Sequence, residues 1–450
     1  MSELLDLAVS LADRGRGDEQ IEAFLSHDRT TEIKAYQGEV ETLSSAEPRG
    51  AGVRIIEEGR AGFAYTTDLS PSGLDEVVAL ARQNTASATP DDAVGIGPAW
   101  TKTPADVDGL VDETHGTVTP ETKADLAVTL ETTTRKLDPR VRTVEEAGYA
   151  DSDTTIAIAT STGIAGSYRR TDAWCYVLAI ATDGEDTEIG FDFDLATGFS
   201  GLDADSVASR AAERAVSMLG ATKIESGRLP VVLDPYTSAQ FLGVLGRAIT
   251  GDAIQKGRSL FAGRLGERVA DEAVTLIDDG RVPGAPGSSP WDAEGTPSRR
   301  TSVIADGVLT SFLYDLKSAR REGRASTGNA SRAGYRSAPG PAPTNLAFAS
   351  TGSTRSDILK QAGRALLVHD FHGVHSGANP VTGDFSVGVS GRLIENGVPT
   401  QAVKEVTIAA PMLEILAGIK AVADDRRWLP FGGSLGGATT LIAEMTVAGR

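Results

Sequence analysis

The 450-residue sequence predicts an α+β protein made of two domains. The chain is longer than a single hydrophobic core normally supports. In its first half, stretches with helical periodicity alternate with strand-like stretches. In its second half, tight-turn dipeptides recur between β-type residues, which is typical of antiparallel hairpins. We therefore expect an N-terminal α/β domain with helices on a sheet, followed by a β-rich antiparallel C-terminal domain.

The first predicted domain comprises residues 1–225. Strands are expected from about Thr31, and residues 89–118, rich in Pro and Asp, are expected to form an exposed loop. Helices are predicted over 74–87, 121–137 and 203–219. Turns are predicted at Gln37-Gly38, Glu58-Gly59 and Asp183-Gly184. An amphipathic helix is predicted over residues 3–26, which carry the apolar positions Leu4, Leu5, Leu7, Ala8, Leu11 and Ala12.

The second predicted domain, residues 226–450, follows a hinge-like segment, GATKIESGRLP. A buried strand, PVVLD, and a helix over 238–252 come first. Hairpins centred on Asp-Gly or Asn-Gly are then predicted in LIDDGRV, VIADGVLTSFLYD and GRLIENGVPTQAV. A late helix over 411–425 and a closing strand over 439–449 complete the domain. Two long segments, 282–300 and 326–344, interrupt the hairpins, and loops of such length are commonly functional or disordered.

Composition excludes several classes of protein. The net charge of −19 opposes binding to nucleic-acid phosphates and to anionic membranes, so we expect neither partner. The chain contains one cysteine, Cys175, in an apolar stretch, which predicts a buried, unreactive thiol and excludes an intrachain disulfide. No segment has the length and apolarity of a membrane span. The first residues lack the pattern of a signal peptide, and we expect a cytoplasmic protein.

Three of the five histidines fall within seven residues, at His369, His372 and His375. Imidazole is a common zinc ligand, so this cluster is a candidate metal site. However, ALLVHDF reads as a strand, on which His369 and His372 would point to opposite faces. The alternative interpretation is that these are polar residues beside the end of a strand.

The segment 317–336 is basic although the chain as a whole is acidic. It contains Lys317, Arg320, Arg321, Arg324, Arg332 and Arg336 against a single acid, Glu322. Arginine forks suit carboxylates, so the segment could hold a peptide terminus or an acidic side chain. A solvated loop, or one paired with acids elsewhere, is the equally weighted alternative. No P-loop occurs.

Several segments resemble the TldD/PmbA family, whose PmbA branch is also called TldE. They are AGVRIIEEGRAGFAYTTDL, GDAIQKGRSLFAGRLGERVADEAVTLIDDG, GTPSRRTSVIADGVLTSFLYDLKSARREGRASTGNASR, HSGANPVTGDFSVGVSGRLIENGVPTQAVKEVTIA and AEMTV. The resemblance implies an N-terminal α/β domain and a C-terminal β-rich domain that form a dimer around an enclosed chamber. It also implies zinc peptidase activity in TldD members, which carry an HExxxH helix before a Gly-Asp pair and a distant cysteine.

The HExxxH position, aligned on Gly251-Asp252, falls on LGVLGR. Leu242 and Arg247 stand where the resemblance places histidines, and Gly243 stands at the glutamate. Leucine and glycine offer no ligand atom, and arginine remains a cation that repels zinc. The C-terminal segment LPFGGSLGGATTL contains no cysteine either. The resemblance therefore points to the PmbA/TldE branch, with no cofactor in this chain and zinc in a TldD-type partner.

The predicted function is that of a TldE/PmbA-like subunit of a cytoplasmic metalloprotease complex that processes unfolded or small peptides. A homodimer of this chain alone is the alternative assembly. One alternative function is an autonomous hydrolase that uses the histidine cluster or a carboxylate such as Asp252. Another, from the family's older name, is a protein-binding modulator of DNA gyrase. The candidate substrate-binding residues are Arg320, Arg321, Thr327, Gly328, Asn329, Asn379 and Pro380.

Overall fold

The computed structural model describes residues 2–429 and 433–450, and it confirms the α+β fold class. The first 219 residues contain helices α1 to α4, at Ser2–Ala12, Pro71–Ser87, Pro120–Leu137 and Ala204–Met218. They also contain strands β1 to β7, at Gln20–Tyr36, Glu39–Ala46, Arg49–Glu57, Arg60–Thr66, Val141–Thr160, Ala165–Asp183 and Asp186–Ala196. These strands form one antiparallel sheet in the order β4-β3-β1-β5-β6-β7, with β2 also paired to β1.

Alternation along the strands gives this sheet two different faces. On β6, the odd-numbered residues Cys175, Val177, Ala179 and Ala181 are buried in a cluster with residues of α3 and α4. On β1, odd-numbered residues such as Ile21 and Leu25 pack with α1 and α2. The even-numbered residues of both strands point to the other face, because side chains alternate along a strand. All four helices therefore cover one face, and we call the opposite one the open face.

The rest of the chain is β-rich. Its helices α5 to α10 are Pro235–Ala248, Gly251–Gln255, Leu316–Arg321, Arg355–Ala362, Val374–Gly377 and Met412–Gly418. Its strands β8 to β21 are Gly227–Leu233, Leu276–Asp279, Arg300–Ala305, Val308–Leu309, Ala330–Ser331, Gly340–Pro341, Asn345–Phe348, Ala365–His372, Asp384–Glu395, Val398–Pro411, Ile419–Val422, Arg427–Leu429, Ser434–Gly437 and Thr440–Ala448.

Two six-stranded sheets organise this second half. One has the order β11-β10-β9-β14-β20-β19 and the other β17-β16-β15-β8-β21-β18. In the latter, β17 also pairs with β21, so hydrogen bonding returns from β21 to β17 and closes five strands into a ring. Most pairs are antiparallel, as predicted, but β8 pairs with β15 and β14 with β20 in parallel. The largest buried apolar cluster lies mainly within this half.

Several predicted boundaries are wrong. The first helix ends at Ala12, and β1 already begins at Gln20, because the apolar run from residue 20 follows a period of two rather than 3.6. The segment 89–118 is not wholly exposed, since Ile96 and Leu110 are buried. The late helix, predicted to residue 425, ends at Gly418. The residues that follow form β18, which pairs with β21.

The predicted hairpin turns are confirmed where the two turn residues directly join two paired strands. Asp306-Gly307 and Asn396-Gly397 both adopt positive φ, as a tight hairpin turn requires. LIDDGRV is not such a turn, because β9 pairs with β10 only after the long 282–300 segment. In the part of the chain that the structure describes, no helix combines the length and apolarity needed to cross a membrane. The division into two domains at residue 225 stays a prediction.

Candidate functional site

A cleft of about 900 Å³ lies between the open face of the seven-stranded sheet and loops of the second half. From the sheet it is lined by Phe24, Glu32, Lys34, Glu146, Ser152, Ile156, Tyr168, Arg170, Asp172, Trp174, Tyr176, Leu178, Phe191, Phe193 and Leu195. From the second half it is lined by Pro286, Gly287, Ser289, Trp291, Asp292, Ala293, Ala330, Ser331, Arg332, Pro343, Thr344, Gly433 and Ser434. The long segments 282–300 and 326–344 thus border this cleft.

The sheet side of the cleft is built by β6. Most of its even-numbered residues are aromatic or charged, and they face the cleft while odd-numbered ones such as Cys175 and Val177 are buried under helices. Arg170 and Asp172 form an ion pair of 2.5 Å, and Tyr176 donates a hydrogen bond of 3.1 Å to Glu146. Lys34 pairs with the same glutamate at 2.6 Å. The wall therefore offers both aromatic surface and charges of both signs.

Three aromatic rings join the two halves at one end of the cleft. The ring of Trp291, from segment 282–300, lies 5.2 Å from that of Tyr168 in an edge-to-face arrangement. The ring of Trp100 lies 5.0 Å from that of Trp291, and its Nε1 donates a hydrogen bond of 2.6 Å to the carbonyl of Gly295. Such pairs contribute beyond the area that they bury, so they help to fix the 282–300 segment on the sheet.

A buried network of charges also crosses between the halves. Arg332 Nη2 lies 2.5 Å from Glu22 Oε1 and 2.6 Å from the carbonyl of Ala293, while Arg54 Nη2 contacts Glu22 at 2.6 Å and Glu294 at 3.0 Å. Burial would raise the pKa of Glu22, but the two arginines outweigh it and lower that pKa. Burial raises the pKa of Glu294, against the effect of Arg54. The Nε atoms of both arginines are buried without a hydrogen-bond partner among the described residues.

Two buried carboxyl groups next to the cleft hold protons more tightly than usual. Burial and the neighbouring charge of Glu294 raise the pKa of Asp292, although three backbone amides donate to its oxygens. Burial raises the pKa of Asp278 to about 6, against hydrogen bonds from Asn329 and Thr344. Sequence reasoning missed both residues. In YRRTDAWCY every second residue, from Tyr168 to Tyr176, is aromatic or charged, and this was the one available signal for the cleft wall.

Helix α5 carries the position at which the resemblance expects zinc ligands. Leu242 is completely buried in the core, Arg247 is exposed, and a Cβ on Gly243 would lie 3.1 Å from Leu435. These three residues supply no oxygen, sulfur or neutral nitrogen donor, so they do not fit a zinc ion. A Cβ on Gly246 would lie 3.1 Å from Pro343, which lines the cleft. Helix α5 is therefore adjacent to the cleft.

The three clustered histidines take separate environments. His369 Nδ1 lies 3.4 Å from Asp234, His372 Nε2 lies 3.1 Å from Ser390, and His375 is exposed on α9. Within residues 2–429 and 433–450, no three His, Cys, Asp or Glu side chains are grouped as a metal ion requires. Asp252, proposed for the hydrolase alternative, forms an ion pair of 2.9 Å with Lys256. Cys175 is buried, as expected, and burial raises the pKa of its thiol to about 12.

The structure does not bring the candidate substrate-binding residues together. Arg320 donates to the carbonyl of Ile96 at 2.7 Å, and Arg321 pairs with Asp91 at 2.6 Å, so both fasten the second half to the first. Neither lines the cleft, because the acids and carbonyls that satisfy them lie in segment 89–118. The interpretation of segment 317–336 as paired with acids elsewhere therefore fits Arg321 and Lys317, which contacts Asp91 at 2.9 Å, whereas Arg320 is satisfied by carbonyls.

The remaining candidates occupy turns. Thr327 donates to Asn329 Oδ1 at 2.7 Å, and Asn329 is buried against Asp278 just behind the cleft. Gly328 has a φ of +74°, and a Cβ there would lie 2.8 Å from the carbonyl oxygen of Pro297. The side chain of Asn379 accepts from backbone amides two and three residues ahead, and the Pro380 carbonyl accepts from Leu260. Their binding of substrate stays a prediction.

Comparison with known families matches most of the chain. Models described as PmbA/TldA metallopeptidase domain 1, central domain and C-terminal domain match residues 21–85, 113–219 and 226–449. Among curated relatives, the metalloprotease PmbA of Escherichia coli O157:H7 is 26% identical over 100% of this chain and 96% of its own length. A metalloprotease TldD homolog of Buchnera aphidicola is 29% identical over 84% of this chain and 79% of its own length.

Solved structures agree with the fold. A Thermotoga maritima protein described as a modulator of a DNA gyrase superposes with a TM-score of 0.87 at 25% identity, over 99% of this chain and 100% of that one. TldE from Thermococcus kodakarensis superposes with a TM-score of 0.88 at 21% identity, over 100% of both chains. At the latter identity, the likeness concerns the fold alone.

Proposed function

The chain belongs to the PmbA/TldD metallopeptidase family, and from this premise we propose that it is the TldE-like subunit of a metalloprotease complex. In this proposal a TldD-type partner contributes the zinc, and the complex processes unfolded or small peptides in the cytoplasm. The observation that carries the proposal is helix α5. Its residues at the metal-binding positions, Leu242, Gly243 and Arg247, have no group that could ligate zinc or activate water.

The cleft supports a role in holding substrate. At about 900 Å³ it falls at the upper end of the range of about 300–1,000 Å³ for ligand pockets, which suits a short peptide better than a small metabolite. Aromatic faces such as Trp174 accept many side chains, and Lys34 and Asp172 offer one charge of each sign. Peptides of varied sequence could therefore bind with little selectivity, as processing of unfolded chains requires.

Reconstitution tests the proposal. The purified chain is analysed for bound metal, and peptide hydrolysis is then measured for the chain alone, for a TldD-type protein from the same cell, and for their mixture. We expect no stoichiometric zinc in this chain and full activity only in the mixture, removed by a chelator. One zinc per chain that is lost in the variant His369→Ala, His372→Ala would overturn the proposal. Hydrolysis by the isolated chain that survives chelators would overturn it as well.

A second candidate function is that of a protein-binding modulator of DNA gyrase. The description of the Thermotoga maritima structure favours it. The net charge of −19 opposes direct contact with DNA but not with a protein. Immobilised gyrase from the same cell should retain the chain at physiological salt without DNA if this function is correct, and failure to retain it would reject this candidate.

A further inference from the structure

A second cavity, of about 370 Å³, lies apart from the cleft, where α4 meets the second half. It lies at the carboxyl ends of the parallel strands β8 and β15, close to the start of α5. Arginines dominate its wall, which is notable in a chain with a net charge of −19. The lining residues are Arg210, Glu213, Arg214, Ser217, Asp234, Pro235, Arg355, Leu367, His369, Arg392, Pro399, Asp425 and Arg427.

Three of these arginines are held by buried carboxylates. Arg214 pairs with Asp234 at 2.7 Å, and Arg210 and Arg427 both pair with Asp192, at 2.6 and 2.8 Å. Asp234 is buried; burial would raise its pKa, but Arg214 and His369 lower it to about 2. These pairs position the three guanidinium groups, because a side chain that rotates away removes part of the compensation of a buried carboxylate.

The other two arginines have no acidic partner. Among the residues that the structure describes, Arg355 forms one hydrogen bond, of 3.0 Å to Thr439, and Arg392 donates only from Nη2 to the carbonyls of Pro399 and Thr400. Nη1 of Arg392 and Nε and Nη2 of Arg355 are neither paired nor fully buried, so they remain available as donors. The Nε of Arg392 is buried and unpaired.

The charge balance indicates the kind of ligand. Five arginines line the cavity against three carboxylates, those of Glu213, Asp234 and Asp425. Asp192 neutralises one more charge from behind, which leaves a surplus of one positive charge among the lining groups and Asp192. The nearby Asp370 also acts on Arg214, and burial raises the pKa of this carboxyl group. Planar guanidinium donors match the tetrahedral oxygens of a phosphate, which carries about −1.5 to −2 charges at neutral pH.

We propose that this cavity is a binding site for a phosphate group, held by Arg355 and Arg392. The donor chemistry is shared by free inorganic phosphate and by a small phosphate monoester, and the cavity volume admits either one. The site is independent of the cleft and of the proposed function, since none of its lining residues lines the cleft.

Calorimetric titration of the full chain in a chloride buffer at neutral pH tests this site. Inorganic phosphate should give one saturable site per chain, and Arg392→Gln and Arg355→Gln should each weaken it at least about tenfold, the cost of losing a charged hydrogen bond. Arg142→Gln, which changes an exposed arginine outside the cavity, is the matched control and should bind as the parent does. Glycerol phosphate distinguishes the sources, because tighter binding than inorganic phosphate indicates a monoester ligand.

Three results would overturn the site. They are the absence of saturable heat, equal affinity in Arg355→Gln and the parent, and equal competition by acetate at the same concentrations. Because Arg392 also donates to two backbone carbonyls, the fold of Arg392→Gln is checked first, by comparing its circular dichroism spectrum with that of the parent. Arg355→Gln removes only one hydrogen bond, to a hydroxyl, and by itself keeps the test decisive.

Discussion

The cleft and helix α5 are neighbours, yet they differ in the chemistry of their side chains. The cleft is rich in charged and aromatic groups that a peptide could contact, and buried ion pairs such as Arg332–Glu22 fix its walls. Helix α5 presents leucine, glycine and arginine at the positions where TldD-type members are expected to hold zinc. The difference teaches that a cleft suited to a peptide can lie beside a helix whose residues offer no zinc ligand, which is the division between two chains that the proposed function requires.

The largest effect is expected at the buried charges of the cleft. Arg332→Met should lower the free energy of unfolding by about 3–5 kcal/mol, because it leaves Glu22 with one partner fewer in a buried position. Urea denaturation measures the change. Arg299→Met, at an exposed arginine of the neighbouring loop, should leave the midpoint where it is. An equal midpoint for both variants would mean that the network does not fix the cleft walls.

The next effect concerns helix α5. Leu242→His should cost about 2–4 kcal/mol of unfolding free energy, since a polar ring would replace leucine in a fully buried position. Arg247→His, at an exposed site, is the control and should be close to neutral. The triple variant that adds Gly243→Glu to both is then analysed for metal. Parent-like stability and one bound zinc per chain would show that α5 differs from a zinc site in its donors alone.

A pH effect is expected from Asp278. Its pKa is raised to about 6 in the folded protein, so between about pH 4 and pH 6 the folded state holds a proton that the unfolded chain releases. Stability should therefore fall as the pH rises through this window, by up to about 1.4 kcal/mol per pH unit. Asp278→Asn should reduce that slope in urea titrations, whereas Asp252→Asn, paired at the surface, should keep it. A parent-like slope in Asp278→Asn would contradict the assignment.

The smallest effect should appear in the reconstituted complex. Trp174→Ala should raise KM for peptide hydrolysis about tenfold with kcat little changed, because the ring provides binding surface and no reacting group. Tyr36→Ala removes an exposed aromatic from the end of β1 and serves as the control. A fall in kcat alone would place Trp174 in a different role and would weaken the division between holding and cleaving.

Features that depend only on residues adjacent in sequence, such as tight turns, could be predicted from the sequence. Asn396-Gly397 forms its turn because both residues can adopt positive φ, which is a property of the dipeptide itself. The helical pattern predicts a helix over residues 3–26, but residues 20–26 form part of β1, because β1 gains its stability from β3 and β5, whose residues are distant in sequence. The same limit explains the early end of the late helix at Gly418.

The candidate site was predicted less well than the fold, for a physical reason. The charge pattern predicts Arg320 and Arg321 as ligands for a substrate carboxylate, but in the structure Arg320 donates to the carbonyl of Ile96 and Arg321 pairs with Asp91. A charge run in a sequence does not reveal which partner lies opposite. The identity of Leu242, Gly243 and Arg247 required no such knowledge, since the absence of donor atoms is visible in the residues themselves.

The ring of five strands has a consequence for biosynthesis. It closes through β21, at residues 440–448, which pairs with β8 at residues 227–233 and with β17. While the ribosome is still making the intervening residues, β8 lacks this antiparallel neighbour, and its unpaired edge is exposed to other chains. The second half must therefore complete its folding after residue 448 has emerged, whereas the sheet of residues 20–196 has all of its strands much earlier.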